Sequence, residues 1–439
     1  MNVSRRAFLA RTAAWASSSV LAHAVETADA RRPQRDTDLS IALVGCGYRG
    51  TDAALQALSY DPSIRVVALA DVFPDQLEAT LASLQQRSPA QVSVPAARRF
   101  VGLDAYRRAI DVGPDVVILA TPPGFRPVQF EYAVDHGCHA FLEKPVAVDA
   151  PGVRRVMQSS SEAQRGNVKI GVGLQRRHSR RYQETVERIH EGAIGPVHLV
   201  RCYNNVGGVW RRPRSELQTE TEYQLRNWYY FTWLSGDFIV EQHVDNLDIA
   251  NWVLRGHPIE AQGQGGRQVR EGPEHGQIYD HHMVEFTYAD GTTLLSQCRQ
   301  IPNAWGQVNE LVTGRDGRAD LGEARIESRR MEDDRLGGPW QSGASELDPY
   351  QAEMDAFLDA VGNDMPYNEG HRGAESTLTA ILGRMATYSG KVVRWDEALA
   401  SERALAPRLD RLTLSGRAPV RRRSDGGYYV PVPGQFRAR

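Results

Sequence analysis

The run Leu39-Ser-Ile-Ala-Leu-Val44 passes directly into Gly45-Cys46-Gly47-Tyr48-Arg49-Gly50, and an amphipathic stretch follows from Thr51 to Ser59. A short apolar run of this kind suits a strand buried on both faces, so the pattern predicts strand, glycine turn and helix in succession. Gly45 permits a tight turn, Gly47 lets the backbone approach a pyrophosphate, and Gly50 allows the helix to pack closely. The free N–H groups at the helix start would face the phosphates. A second strand, Arg65 to Ala70, ends at Asp71, twenty-one residues after Gly50, where an acid would accept hydrogen bonds from an adenosine ribose. Its charge would repel a 2′-phosphate, and neither Val72 nor Phe73 supplies an adjacent cation, which favours NAD over NADP.

A polar helix from Pro74 to Arg87 and a buried strand from Asp115 to Ala120, closing on Thr121-Pro122-Pro123, continue the alternation that implies a parallel sheet. After Glu143-Lys144-Pro145 the pattern changes. Lys169 to Leu174 reads as a strand, Arg180 to Glu191 as a helix, and Gly195-Pro196 as a turn into the strand Val197 to Tyr203. Strands at His282 to Tyr288 and Thr292 to Gln300 are joined by Ala289-Asp290-Gly291, a hairpin signal. Helices from Tyr350 to Val361 and from Ala374 to Ser389, the latter ended by Gly390, complete the pattern. The fold class is α/β: an N-terminal Rossmann domain with a doubly wound parallel sheet over 39–155, then an α/β substrate and oligomerisation domain with a largely antiparallel open sheet over 156–410. A short solvated tail is expected over 411–439. A chain of 439 residues exceeds one hydrophobic core, which agrees with two domains.

Residues 1–30 read as a signal for twin-arginine export, since Arg5-Arg6 precede Phe8-Leu9 and a weakly hydrophobic Ala/Ser run. Ala22-His23-Ala24 and Ala28-Asp29-Ala30 are cleavage candidates, and 31–38 would be a linker. That route carries folded proteins, so a dinucleotide could be loaded before the chain reaches the periplasm or another exported location. The formal charge of −2 argues against nucleic acid, and no apolar stretch after the leader is long enough to span a membrane. Cys46, Cys138, Cys202 and Cys298 are scattered without metal or disulfide spacing.

In Phe141-Leu142-Glu143-Lys144-Pro145 a lysine follows a short apolar strand and is fixed by proline, at the sheet edge where a nicotinamide would lie. Burial near an oxidised nicotinamide would favour its neutral form, able to take a hydroxyl proton. With the glycine loop, Thr121-Pro122, Gly195-Pro196, Ser376-Thr377, Gly383-Arg384 and Tyr388-Ser389-Gly390, the chain resembles the Gfo/Idh/MocA oxidoreductase family over nearly all of its mature length. The resemblance implies an NAD-dependent enzyme, with Lys144 catalytic between nicotinamide and substrate and with subunits that associate through an open sheet into a homo-oligomer. The candidate cofactor contacts are Gly45, Gly47, Tyr48, Arg49, Gly50, Asp71, Thr121, Pro122, Glu143 and Lys144.

The family usually places an Asp and a His four residues apart at a helix start, with an Asp three residues later. Here Glu241 and Asp245 occupy the first two places and Asp248 the third. Residues 241 and 245 share a helical face, and a pair of carboxylates would raise one member's pKa. His243 lies roughly opposite unless the helix start is irregular, so either Asp245 or His243 fills the histidine's role, and Glu241, His243 and Asp245 all stand as catalytic candidates. Arg176, Trp210, Arg226, Trp228 and Asp248 are substrate candidates, because aromatics stack on sugar faces and arginines bind hydroxyls or carboxylates. Metal is not expected, Asp280-His281-His282 being read as a strand entry. The leading expectation is an exported NAD-dependent oxidoreductase acting on a hydroxyl carbon of a sugar, polyol or glycoside. The alternatives are a redox-neutral enzyme that keeps NAD bound through a transient keto-sugar, and a non-catalytic NAD-binding sensor.

Overall fold

Six strands form the first sheet: β1 (Ser40–Val44), β2 (Arg65–Asp71), β3 (Arg99–Val101), β4 (Val116–Leu119), β5 (His139–Leu142) and β6 (Ile170–Val172). They are parallel in the order β3-β2-β1-β4-β5-β6, so the direction of winding reverses between β1 and β4, where a crevice opens at the carboxyl ends. The computed structural model describes residues 38–329, 339–345, 347–405 and 409–435; the expected leader lies outside the described residues. β6 corrects the expected boundary at 155. The helix Ala150–Arg165 is a crossover into this sixth strand, and a local pattern does not reveal which sheet such a strand will join.

The second sheet contains β7 (Val197–Val206), β8 (Glu260–Gly266), β9 (His281–Thr287), β10 (Thr293–Gln300), β11 (Gln307–Gly314), β12 (Gly317–Asp320), β13 (Arg325–Ser328), β14 (Trp340–Gln341) and β15 (Val393–Arg394). Its order is β14-β13-β12-β11-β7-β10-β9-β8-β15, antiparallel throughout except for the pair β7–β10. β9 and β10 make the expected hairpin. β8 carries the sequence Glu-Ala-Gln-Gly-Gln-Gly-Gly, which no strand propensity favours. Its glycines admit the helix Gly370–Ser389: a Cβ on Gly263 would stand 3.1 Å from the Thr387 methyl.

Two segments depart from the expected division. The helix Pro349–Gly362 returns to the first domain, where Met354, Phe357 and Leu358 are buried in the core built around β1 and the helix Tyr48–Tyr60. Phe357 lies 5.7 Å from Phe141, centroid to centroid, and each such buried side chain contributes about 1.5–3 kcal/mol. The expected solvated tail is exposed at Arg421, Arg422 and Arg423 but is anchored to the second domain at several points. Thr221 Oγ1 donates to the Gly416 carbonyl (3.1 Å), Tyr279 OH donates to the Pro431 carbonyl (3.0 Å), and Tyr428 meets Phe231 edge-on at 5.0 Å.

The glycine turn separates packing from access. Gly45 has φ +99°, a left-handed value that suits glycine, and a Cβ on Gly50 would fall 2.0 Å from the Gly45 carbonyl oxygen, whereas a Cβ on Gly47 would meet nothing within 4 Å. Gly50→Ala should therefore cost about 1–3 kcal/mol of stability. Gly47→Ala should leave the denaturation midpoint nearly unchanged. Equal midpoints for the two variants in urea titrations would contradict this division of labour.

Candidate active site at the carboxyl edge of the parallel sheet

Above the switch point lies a cavity of about 350 Å³ whose walls include Gly45, Gly47, Tyr48, Arg49, Gly50, Asp71, Thr121 and Pro122. Asp71 accepts hydrogen bonds from the backbone N–H of Cys46 (2.7 Å) and of Phe73 (2.9 Å), so the same carboxylate that faces the cavity also fixes the turn. Burial raises its pKa, opposed by those N–H groups. The helix start at Tyr48 has no side-chain cap, and the open space at Gly47 lets backbone N–H groups meet a phosphate. These residues fit a dinucleotide.

Lys144 follows β5 and lies beyond the Arg49 wall, outside the residues that line this cavity, and so does Glu143. Glu143 accepts from Arg49 Nε at 2.6 Å and so holds Arg49 in the cavity wall. Arg49 also reaches Glu353 (3.4 Å) and stacks over the Tyr350 ring at 4.7 Å, so it is an ion-paired wall residue.

Lys144 Nζ stands 3.0 Å from Asp245 Oδ2 and donates to the Glu241 carbonyl at 3.1 Å. The lysine side chain is 17% exposed and the aspartate 13%, so this pair is largely screened from water. Burial by itself would lower the Lys144 pKa, but Asp245 and then Glu241 outweigh it, and the result lies above the ordinary lysine value. Burial alone therefore does not favour the neutral lysine here, because the two acids favour its ammonium form. Glu241 is pushed up, first by burial and then by Asp245, with Lys144 opposing. Asp245 Oδ1 is buried with no hydrogen-bond partner among the described residues.

The helix start is broken here, since a short helix Phe238–Glu241 ends before the helix Val244–Leu254 begins. The break nevertheless leaves His243 facing away from Lys144. Its Nε2 lies 2.8 Å from Ser296 Oγ and its Nδ1 lies 3.2 Å from Asn246 Oδ1, and burial lowers its pKa to about 3. It is a neutral core histidine, which corrects its catalytic candidacy. Asp248 is likewise structural: it takes two hydrogen bonds from Arg177 (2.7 and 2.9 Å) and one from Ser376 (2.7 Å). Arg176 is bound to the buried Glu310, which also accepts from Asn246 and from Tyr182, so its guanidinium braces the helix that carries Asp245. Trp210, Arg226 and Trp228 line the same cavity as Asp71 and the glycine turn.

Two residues escaped the sequence reading. Arg126, fully enclosed, donates to the carbonyls of Thr121 and Pro145 and to that of Leu119 (3.4 Å), tying together the ends of β4 and β5; burial lowers its pKa to about 10. Tyr350 sits under Arg49 and accepts from Gln175 Nε2 at 3.1 Å. Arginine after Pro-Pro-Gly-Phe was a visible oddity, but nothing local distinguishes Tyr350.

Comparison with known proteins shows the family. Residues 39–173 match the oxidoreductase family with an NAD-binding Rossmann fold, and residues 182–319 match the Gfo/Idh/MocA C-terminal domain. An inositol 2-dehydrogenase from Rhizobium meliloti is 30% identical over 270 residues, covering 61% of this chain and 71% of that protein. One from Pseudomonas fluorescens is 24% identical over 328 residues, covering 74% and 86%. The crystal structure of aldose-aldose oxidoreductase from Caulobacter crescentus superposes with a TM-score of 0.63 at 18% identity, covering 82% of this chain and 100% of that one. With NAD as its cofactor and this pair of domains, the chain belongs to the Gfo/Idh/MocA family of oxidoreductases.

Proposed function

We propose that this enzyme oxidises or reduces a hydroxyl-bearing carbon of a sugar or polyol, with Lys144 and Asp245 handling the hydroxyl proton. The observation that carries the reading is the screened Lys144–Asp245 pair beside the sheet edge, and the inositol dehydrogenases among its relatives support a polyol substrate class. Bound NAD supplies the hydride acceptor or donor. An ammonium has three N–H donors; Asp245 and the Glu241 carbonyl take two, which leaves one for a substrate oxygen. Lys144 passes its proton to Asp245 across 3.0 Å and then receives the proton of the substrate hydroxyl, so the pair holds one further proton at the end of oxidation. In this reading Asp245, and not His243, takes the place that the family resemblance assigns to a histidine. A redox-neutral cycle is the second reading, favoured by the way Trp210, Arg212, Leu225, Arg226 and Trp228 close over the nucleotide cavity from the second domain. Turnover without net change in NADH absorbance would support it over a simple dehydrogenase. We further infer export by the twin-arginine route with NAD already loaded, from Arg5-Arg6 before Phe8-Leu9.

Lys144→Ala should reduce turnover roughly a hundred- to ten-thousandfold on a responsive polyol while NAD binding survives. Asp245→Asn should be nearly as damaging. It should also change the pH profile: without the carboxylate the Lys144 pKa falls, and the lysine must lose its proton before acting, so turnover should climb with pH where the wild type is level. His243→Ala should retain most turnover yet lose about 1–3 kcal/mol of stability, because the buried Ser296 hydroxyl loses its imidazole partner. A level profile for Asp245→Asn, or full activity in Lys144→Ala, would refute the assignment.

Asp71→Ala should weaken NAD more than NADP, because it removes both the ribose acceptor and the charge opposing a 2′-phosphate; titration of each nucleotide reads this directly, and an unchanged preference contradicts it. Replacing Arg5 and Arg6 by lysine should leave the protein in the cytoplasm, as cell fractionation would show, and unaltered export would remove the twin-arginine reading.

A further inference from the structure

The nucleotide cavity has a roof that the Rossmann domain does not supply. Trp210, Arg212, Leu225, Arg226 and Trp228 form part of its lining, and all belong to one segment of the second domain between 207 and 228. Arg226 reaches across to the first domain. Its Nη1 donates to Asp75 Oδ2 at 2.9 Å and its Nη2 to Asp75 Oδ1 at 2.7 Å, a two-pronged ion pair, while the guanidinium lies 3.9 Å from the centroid of the Phe73 ring. Asp75 stands in the first turn of the helix that follows Asp71, at the adenosine end.

The roof is built as a rigid part. Thr219 and Glu222 form a reciprocal cap at the start of the helix Glu220–Arg226, and Asn227, fully buried, accepts from the Arg212 N–H (3.0 Å) and donates to the Glu274 carbonyl (2.7 Å). Behind the helix, the C-terminal residues tie it at several points. Thr219 Oγ1 donates to the Leu414 carbonyl (2.6 Å), Gln224 Nε2 to the Val420 carbonyl (2.7 Å), and Tyr428 OH to Glu220 Oε1 (2.7 Å). Through these bonds the packed C-terminal strap holds Arg226 against Asp75.

We propose that residues 207–228, braced by the C-terminal strap and latched by Arg226 to Asp75, form a clasp that retains NAD between catalytic cycles. A nucleotide lying between Asp71 and the glycine turn would sit beneath this bridge, so its release requires the latch to part. The proposal rests on the NAD-binding reading of the cavity, but not on the roles of Lys144 and Asp245. A retained nucleotide is what a redox-neutral cycle requires.

The test uses the full-length chain charged with NADH, with release followed by the fall in NADH fluorescence on adding excess NAD. Arg226→Ala, Arg226→Gln and Asp75→Ala should each speed release about two- to tenfold. The exchanged pair Asp75→Arg with Arg226→Asp should restore slow release, a recovery that a merely structural role would not give. Tyr428→Phe, which removes only the strap's hydrogen bond to Glu220, should speed release by a smaller factor. Release as slow in Arg226→Gln and Asp75→Ala as in the wild type overturns the clasp. A wild-type chain that binds no NADH overturns it together with the nucleotide reading, whereas loss of the Lys144 assignment would leave these release rates untouched.

Discussion

Lys144 places a positive charge where water is scarce, and the rest of the site is arranged around that fact. Desolvation would drive the proton off this lysine, yet Asp245 and Glu241 hold it in place, and both belong to the second domain. The chemistry and the docking of the two domains are therefore one interaction. Removing a partner from such a buried pair typically costs about 3–5 kcal/mol, because the remaining charge is left uncompensated. Arg126 works from below by joining the carbonyl ends of β4 and β5, and Arg49 works from the side through Glu143 and the returning helix residue Glu353.

What the sequence disclosed and what it withheld follow from the range of each interaction. The glycine turn, Asp71 and Lys144 were legible because their constraints are local: a turn that only glycine enters easily, an acid at a strand end, a lysine before proline. Glu143, Asp248 and Arg176 looked like ligand residues because nothing in a single chain pairs an arginine with its acid. Their partners lie 94 residues away (Arg49 to Glu143), 71 (Arg177 to Asp248) and 134 (Arg176 to Glu310). β8 was invisible because its glycines serve the helix packed on it, and β6 was read as a strand but assigned to the wrong sheet. The two orientations left open for His243 and Asp245 are decided by Ser296, which binds the imidazole from β10.

The same distinction explains the cavity roof. Trp210 and Trp228 are in edge contact with each other at 6.0 Å and Arg226 stacks on Phe73, so the features that suggested sugar recognition are engaged at the nucleotide end. Asp71 and Phe73 come from the first domain while the cation beside them comes from the second. The absence of a basic residue immediately after Asp71 is thus a property of the sequence and not of the folded site, where Arg226 is drawn to Asp75.

The charges around Lys144 have a further consequence for the reaction. Lys144, Arg49 and Arg126 stand among Asp245, Glu241, Glu143 and Glu353, so with every group ionised the acids would exceed the bases by one. Burial pushes Glu353 well above the usual carboxylate range, with Glu143 next in effect, and it also raises Glu241, so the protonated forms of these two acids are favoured. A positive charge brought near Lys144 opposes its ammonium form and loosens its proton, which can then pass to a neighbouring carboxylate. Oxidised nicotinamide carries such a charge and the reduced ring does not. With NAD bound beside Lys144, an oxidised ring would lower the proton affinity of these residues and a neutral one would restore it, which is the direction needed for them to accept the hydroxyl proton.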